Sequence, residues 1–173
     1  MTDFAQDLAL QIPRLRRYAR VLTHNAAWAD DLVQDTLERA LGRRWLFRLN
    51  SNLSAWLYTM LYRLYLNDAA RAHRQQEITA ADVPETPAPG TDPGLQLDVQ
   101  RALARLSVEH RAVLVLVALE QLSYKEVATV LGIPRGTVMS RLARAREQLR
   151  LSLGEAAPAA SPVEAIGPLT RVK

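Results

Sequence analysis

The stretch "LSYKEVATVLGIPRGTVMSRLARAR" (122–146) places Arg135, Thr137, Ser140, Arg141 and Arg144 within one short segment. Arginine can grip a guanine edge with two parallel hydrogen bonds or pair with phosphate, and a hydroxyl can bond either. Val138, Leu142, Ala145 and Leu149 recur at spacings of four, three and four, giving one apolar stripe with the arginines largely off it. A second cluster lies in "ADDLVQDTLERAL" (29–41), where helical spacing puts Asp31, Gln34, Asp35 and Glu38 on one face, opposite Val33, Leu37 and Ala40. Such a face is a solvated helix surface, a carboxylate site for a hard cation, or a docking surface for a partner. A third cluster is aromatic and basic. Trp45, Phe47, Trp56, Tyr58, Tyr62 and Tyr65 alternate with Arg43, Arg44, Arg48, Arg63, Arg71 and Arg74. Aromatics at helical spacing build a core, and Trp56 and Leu57 are read that way. Aromatic faces beside arginines also make a stacking platform for single-stranded bases.

Composition narrows what these clusters can serve. The chain has 173 residues, 49% of them apolar, enough for one ordinary domain or two small ones. There is no cysteine, which excludes disulfides and thiolate metal sites and suits a reducing cytoplasm. The N-terminus lacks the basic start and apolar core of a secretory signal. No uncharged apolar run reaches the roughly 20 residues of a membrane helix, and "AVLVLVAL" (112–119) reads as a buried helix. His24, His73 and His110 are scattered, without a partner motif. Charge is distributed in blocks. Residues 1–75 carry eleven arginines against seven acids, 76–100 five acids and no Lys or Arg, and 101–173 eleven basic residues against six acids. Basic blocks attract polyanions by releasing counterions.

The elements that must position these residues are helical, with no strand alternation. Expected helices cover 3–22 (its start delayed by Pro13), 27–41, 54–74 with Ser54 as N-cap, 95–106 and 109–120. Then comes a helix-turn-helix. Ser123 and Glu126 form a capping box, Gly132 takes the left-handed turn position, Ile133 plugs the corner, and Pro134 blocks continuation. The second helix of such a pair enters the major groove. Four prolines between 84 and 93 mark an extended, acidic linker. The expected class is all-α: two small helical domains joined by a flexible linker, the second containing the helix-turn-helix. The boundaries are 1–75, linker 76–97, 98–153, and a disordered tail 154–173.

Taken in order, acidic helix, basic aromatic helix, acidic linker and helix-turn-helix, the chain resembles the bacterial extracytoplasmic-function sigma factors, of the sigma-70 family of transcription initiation factors. The resemblance covers about residues 15–151. "DDLVQDTLERAL" looks like the family's polymerase-binding helix, "LSAWLYTMLYRLYLNDAARAHR" like its promoter-melting helix, and 122–146 like its promoter-reading motif. It implies that Asp31, Gln34, Asp35 and Glu38 dock on the clamp of the large subunit of core RNA polymerase. It implies that Arg43, Arg44, Trp45, Asn50, Asn52, Arg63, Asn67, Arg71 and Arg74 hold and melt the −10 element, with loop 43–52 capturing a flipped base. Arg135, Thr137, Ser140, Arg141 and Arg144 then read the −35 element as duplex. Further implications are an anti-sigma factor, membrane-bound or soluble, no stable homo-oligomer, no cofactor, no catalytic residue and a cytoplasmic location. The chain departs from the family pattern at Arg63 and Asn67, where an asparagine and an aspartate are common, and at Met139, often a lysine. Two other readings compete: a stand-alone repressor or activator using only the helix-turn-helix, and a metal hydrolase using Asp30, Asp31 and Asp35.

Overall fold

The protein is represented by a computed structural model that describes residues 4–48, 51–76 and 95–154. Among these residues every regular element is helical: α1 (Phe4–Thr23), α2 (Ala26–Gly42), a 3₁₀ turn (Arg44–Leu46), α3 (Leu53–Gln76), α4 (Leu95–Ala104), α5 (Val108–Ala118), α6 (Tyr124–Leu131) and α7 (Arg135–Ser152). The expected all-α class is what the chain adopts. Asn50, most of the linker and all but the first residue of the expected tail lie outside the described residues.

Local chemistry sets most of the boundaries. In α1 the buried positions Leu8, Leu15, Tyr18, Ala19 and Leu22 trace one face. Pro13 does not delay this helix, as the sequence suggested; it sits inside it. Pro13 and Ala9 are both exposed, so the carbonyl that loses its donor to Pro13 can turn to water. Asn25 caps α2 by accepting the Trp28 amide at 2.9 Å. Ser54 is not the cap of α3. The helix begins one residue earlier, and Asn52 Oδ1 accepts the Ala55 amide at 3.3 Å. Ser54 is instead buried, its hydroxyl donating to Gln11 Oε1 at 2.7 Å. Ser107 caps α5; of the apolar run 112–119 expected to be a buried helix, residues 112–116 are buried, whereas Ala118 and Leu119 at its end are exposed.

The first three helices form one unit and α4–α7 a second, and the two share a continuous core. Leu57, Leu61, Leu15 and Leu32 of the first unit belong to the same buried cluster as Leu116, Val127 and Leu142 of the second. Burying each such side chain stabilises by about 1.5–3 kcal/mol, so this packing dominates the fold. α1 lies against α5 and α3 against α6. Among the described residues no helix is long and apolar enough to cross a membrane.

Candidate nucleic-acid and partner interfaces

The helix-turn-helix forms as its local sequence dictates. Ser123 Oγ accepts the Glu126 amide, and Glu126 Oε2 accepts the Ser123 amide at 2.8 Å, satisfying two donors at the start of α6. Gly132 ends α6 at φ 66°, a left-handed conformation that costs any residue with a Cβ. The Ile133 amide then bonds back to the Ala128 carbonyl at 3.0 Å. Pro134 opens α7, whose Val138, Leu142 and Ala145 are buried. Arg135, Ser140 and Arg144 are exposed on the other side, while Thr137 and Arg141 are half-buried. Arg150 pairs with Glu147 one turn away, so that arginine is engaged along its own helix.

The acidic face is also intact. Asp31, Gln34, Asp35 and Glu38 are all exposed on α2, opposite buried Ala29, Leu32, Val33 and Ala40. Gln34 donates to Glu38 at 3.0 Å. Asp30 points to a different neighbour, Arg16, at 3.2 Å. No group of three metal-ligating side chains converges among the described residues.

Of the aromatic residues, Trp45 alone stands out from the fold, 77% exposed beside exposed Arg43 and Arg44. Phe47 and Trp56 pack against each other and against Phe4, with ring centroids 5.3–6.4 Å apart. Tyr58, Tyr62 and Tyr65 are buried, Tyr65 stacked on Trp28 at 5.4 Å. The core reading therefore wins for these five, and any base stacking falls to Trp45. On α3, Arg63, Asn67, Arg71 and Arg74 are exposed at spacings of four, four and three, on one face. Eleven helical steps span about 16 Å, close to the rise of five nucleotides at ~3.4 Å each.

One arrangement was missed in the sequence. Glu120, in the turn between α5 and α6, has no exposed side-chain surface, yet it joins the two units. It accepts from Arg14 Nε at 2.8 Å, from Arg17 Nη2 at 2.6 Å and from the Tyr58 hydroxyl at 2.6 Å. Arg14 also reaches the Glu120 carbonyl and Ser54. Burial opposes the charge on Glu120, but the bonds from Tyr58, Arg17 and Arg14 outweigh it and hold the carboxyl below its usual range. Burial, then the bond to Glu120, pushes the Tyr58 phenol well up. The only sequence signal was a lone acid closing a long apolar run, with two arginines three apart on α1.

Further contacts cross the same boundary. Asn52 Nδ2 donates to Glu126 Oε1 at 2.7 Å. The Arg111 guanidinium meets His24 Nε2. Within the second unit, Glu109 is held below the usual carboxylate range by its own backbone amide, with Ser107 and Arg141 adding to the effect. Burial raises the Tyr62 phenol, and Arg141 opposes that shift across the boundary between α7 and α3. One residue read from sequence as a promoter contact, Asn52, thus bonds to the other unit of its own chain.

Comparison with known proteins places these parts. Residues 8–62 match the family described as the Sigma2 domain of PhyR, and residues 96–149 that described as Sigma-70, region 4. The chain is 38% identical over 153 residues to the ECF RNA polymerase sigma factor EcfG of Rhodopseudomonas palustris, covering 86% of this chain and 84% of that one. Its fold is similar to that of the sigma factor RpoE of Bartonella quintana, solved in complex with the anti-sigma factor NepR. The TM-score is 0.82 at 34% identity, over 89% of this chain and 98% of the other. CnrH, solved with the cytosolic domain of CnrY, is similar at TM-score 0.64 and 27% identity, over 87% of each chain.

Proposed function

The chain belongs to the ECF RNA polymerase sigma factors, transcription initiation factors and not enzymes, and from that premise we propose how its surfaces divide the work. Asp31, Gln34, Asp35 and Glu38 dock on the clamp of the large subunit of core polymerase. Arg43, Arg44, Trp45 and Asn50 capture a base flipped from the −10 element, and Asn52, Arg63, Asn67, Arg71 and Arg74 hold its backbone. Flipping costs a few kcal/mol of unstacking, and stacking on exposed Trp45 returns about 1–3 kcal/mol. Arg135, Thr137, Ser140, Arg141 and Arg144 read the −35 element in the major groove. The work is done in the cytoplasm, and the expected division at 1–75, 76–97 and 98–153, with 154–173 as a tail, shifts at the linker, since α3 reaches Gln76 and α4 begins at Leu95.

The observation that carries this reading is the helix-turn-helix itself. Its second helix buries Val138, Leu142 and Ala145 and leaves Arg135, Ser140 and Arg144 exposed. In the closed arrangement Asn52 is bonded to Glu126, so a promoter contact by Asn52 requires the two units to separate. An anti-sigma factor is the natural antagonist: the relatives RpoE and CnrH were solved with NepR and with the cytosolic domain of CnrY. The polymerase docking is tested by charge reversal. Asp35→Lys with Glu38→Lys should weaken binding to core polymerase at least tenfold in a titration with labelled protein, with the helical circular dichroism unchanged. Unchanged affinity would remove α2 as the docking face.

A further inference from the structure

On the DNA-reading assignment of α7 just given, we infer that Met139 is a specificity residue, recognising the C5-methyl group of one thymine in the upstream promoter element. Met139 is 54% exposed, in a helix whose other large apolar residues over the same turns, Val138 and Leu142, are buried. At about 100° per residue, Gly136, Met139, Ser140 and Ala143 form a strip along the outward face of the first turns, and all four are exposed. Over these turns the strip carries no charge; Glu147, next along it, pairs with Arg150. Arg135 and Arg146 border it on one side and Arg144 on the other, and each is exposed.

That layout sorts the contacts chemically. Arginines at the borders can reach a guanine edge or the phosphates of the groove walls, and an uncharged centre with a glycine and an alanine allows close approach to the base edges. A thioether has no charge and no hydrogen to donate, so Met139 gains nothing from phosphate and would strip water from it. The one apolar group displayed on the major-groove edge of the four bases is the thymine methyl. The unbranched methionine side chain is long and adaptable, and Ala143, one turn on, places a second methyl beside it. Ser140, next in the strip, remains free to hydrogen-bond an adjacent edge, since its hydroxyl donates to the Thr137 carbonyl at 3.1 Å and keeps its own lone pairs.

The test uses holoenzyme assembled from the full chain and core polymerase, on a duplex library randomised across the upstream element. Wild type should select a sequence with a strongly preferred thymine, and Met139→Ala should relax that one position. Replacing the thymine by deoxyuridine, which lacks only the methyl, should weaken wild-type binding about fourfold, the worth of one buried methylene-sized group. The same replacement should leave Met139→Ala unaffected. An unchanged selection profile for Met139→Ala, relaxation at a position where thymine is not preferred, or an equal deoxyuridine penalty in both proteins would overturn the inference while leaving the helix-turn-helix a reader. Selection of no upstream sequence by wild type would overturn the DNA-reading assignment and this inference together.

Discussion

Removing the Glu120 carboxylate should open the molecule. The group has no exposed side-chain surface and is held by Arg14, Arg17 and Tyr58, all from the first unit. Breaking a buried pair from one side costs about 3–5 kcal/mol when both partners are buried. Here the Arg14 and Arg17 side chains keep 37% and 48% of their exposure, so water recovers much of what they lose. The Tyr58 hydroxyl is buried and would be orphaned, at about 1–3 kcal/mol. For Glu120→Ala we expect a loss of about 3 kcal/mol in the closed form, roughly a hundredfold in the closed-to-open ratio. Glu120→Gln keeps the shape and one acceptor and should cost about 1–2 kcal/mol. The chain has no cysteine, so Gln6→Cys and Leu151→Cys can carry a dye pair across the boundary. Energy transfer should drop in Glu120→Ala, less so in Glu120→Gln, with helical content preserved. Identical transfer and identical unfolding midpoints in wild type and Glu120→Ala would refute the view that this carboxylate holds the units together.

Acid should do the same reversibly. A carboxyl with a lowered pKa in the closed form stabilises that form fully above its ordinary pKa of about 4.3, and the stabilisation fades as pH falls through the lowered value. The dye pair should therefore separate below about pH 4, and Glu120→Gln should flatten that part of the profile. In the turn, Gly132→Val should cost about 1–2 kcal/mol because φ is 66°, measured by urea unfolding. Ser123→Ala should cost about 1 kcal/mol through the lost cap. Arg144→Ala should lower binding to the selected upstream duplex by about 1–3 kcal/mol and barely change binding to unrelated duplex. Equal losses on both would assign Arg144 to phosphate.

The helix-turn-helix was legible because its determinants are local. A capping box, a left-handed glycine and a following proline act within a few residues of one another, and the apolar stripe of α7 repeats at the helical period. The acidic face of α2 was legible for the same reason. Ser54 misled because serine is a strong cap in isolation. Its hydroxyl is instead buried against Gln11 and Arg14 from α1, which no local pattern reveals, and Asn52 takes the capping place. The aromatic run was ambiguous because core packing and base stacking favour the same residues. The answer depends on which side of α3 meets α1 and α2, and that leaves Trp45 alone exposed. The Glu120 contacts join residues 62 to 106 positions apart, so they follow from how two units pack and not from either sequence by itself.

The most direct test is transcription by core polymerase freed of other sigma factors, supplied with this protein and fragmented genomic DNA of its host, with transcript starts mapped. The account predicts starts that depend on the protein and share a two-part upstream sequence, and that are lost with Asp35→Lys and Glu38→Lys. If the core is shown active with another sigma factor yet no protein-dependent start appears, the promoter-directing role assigned to these surfaces is contradicted.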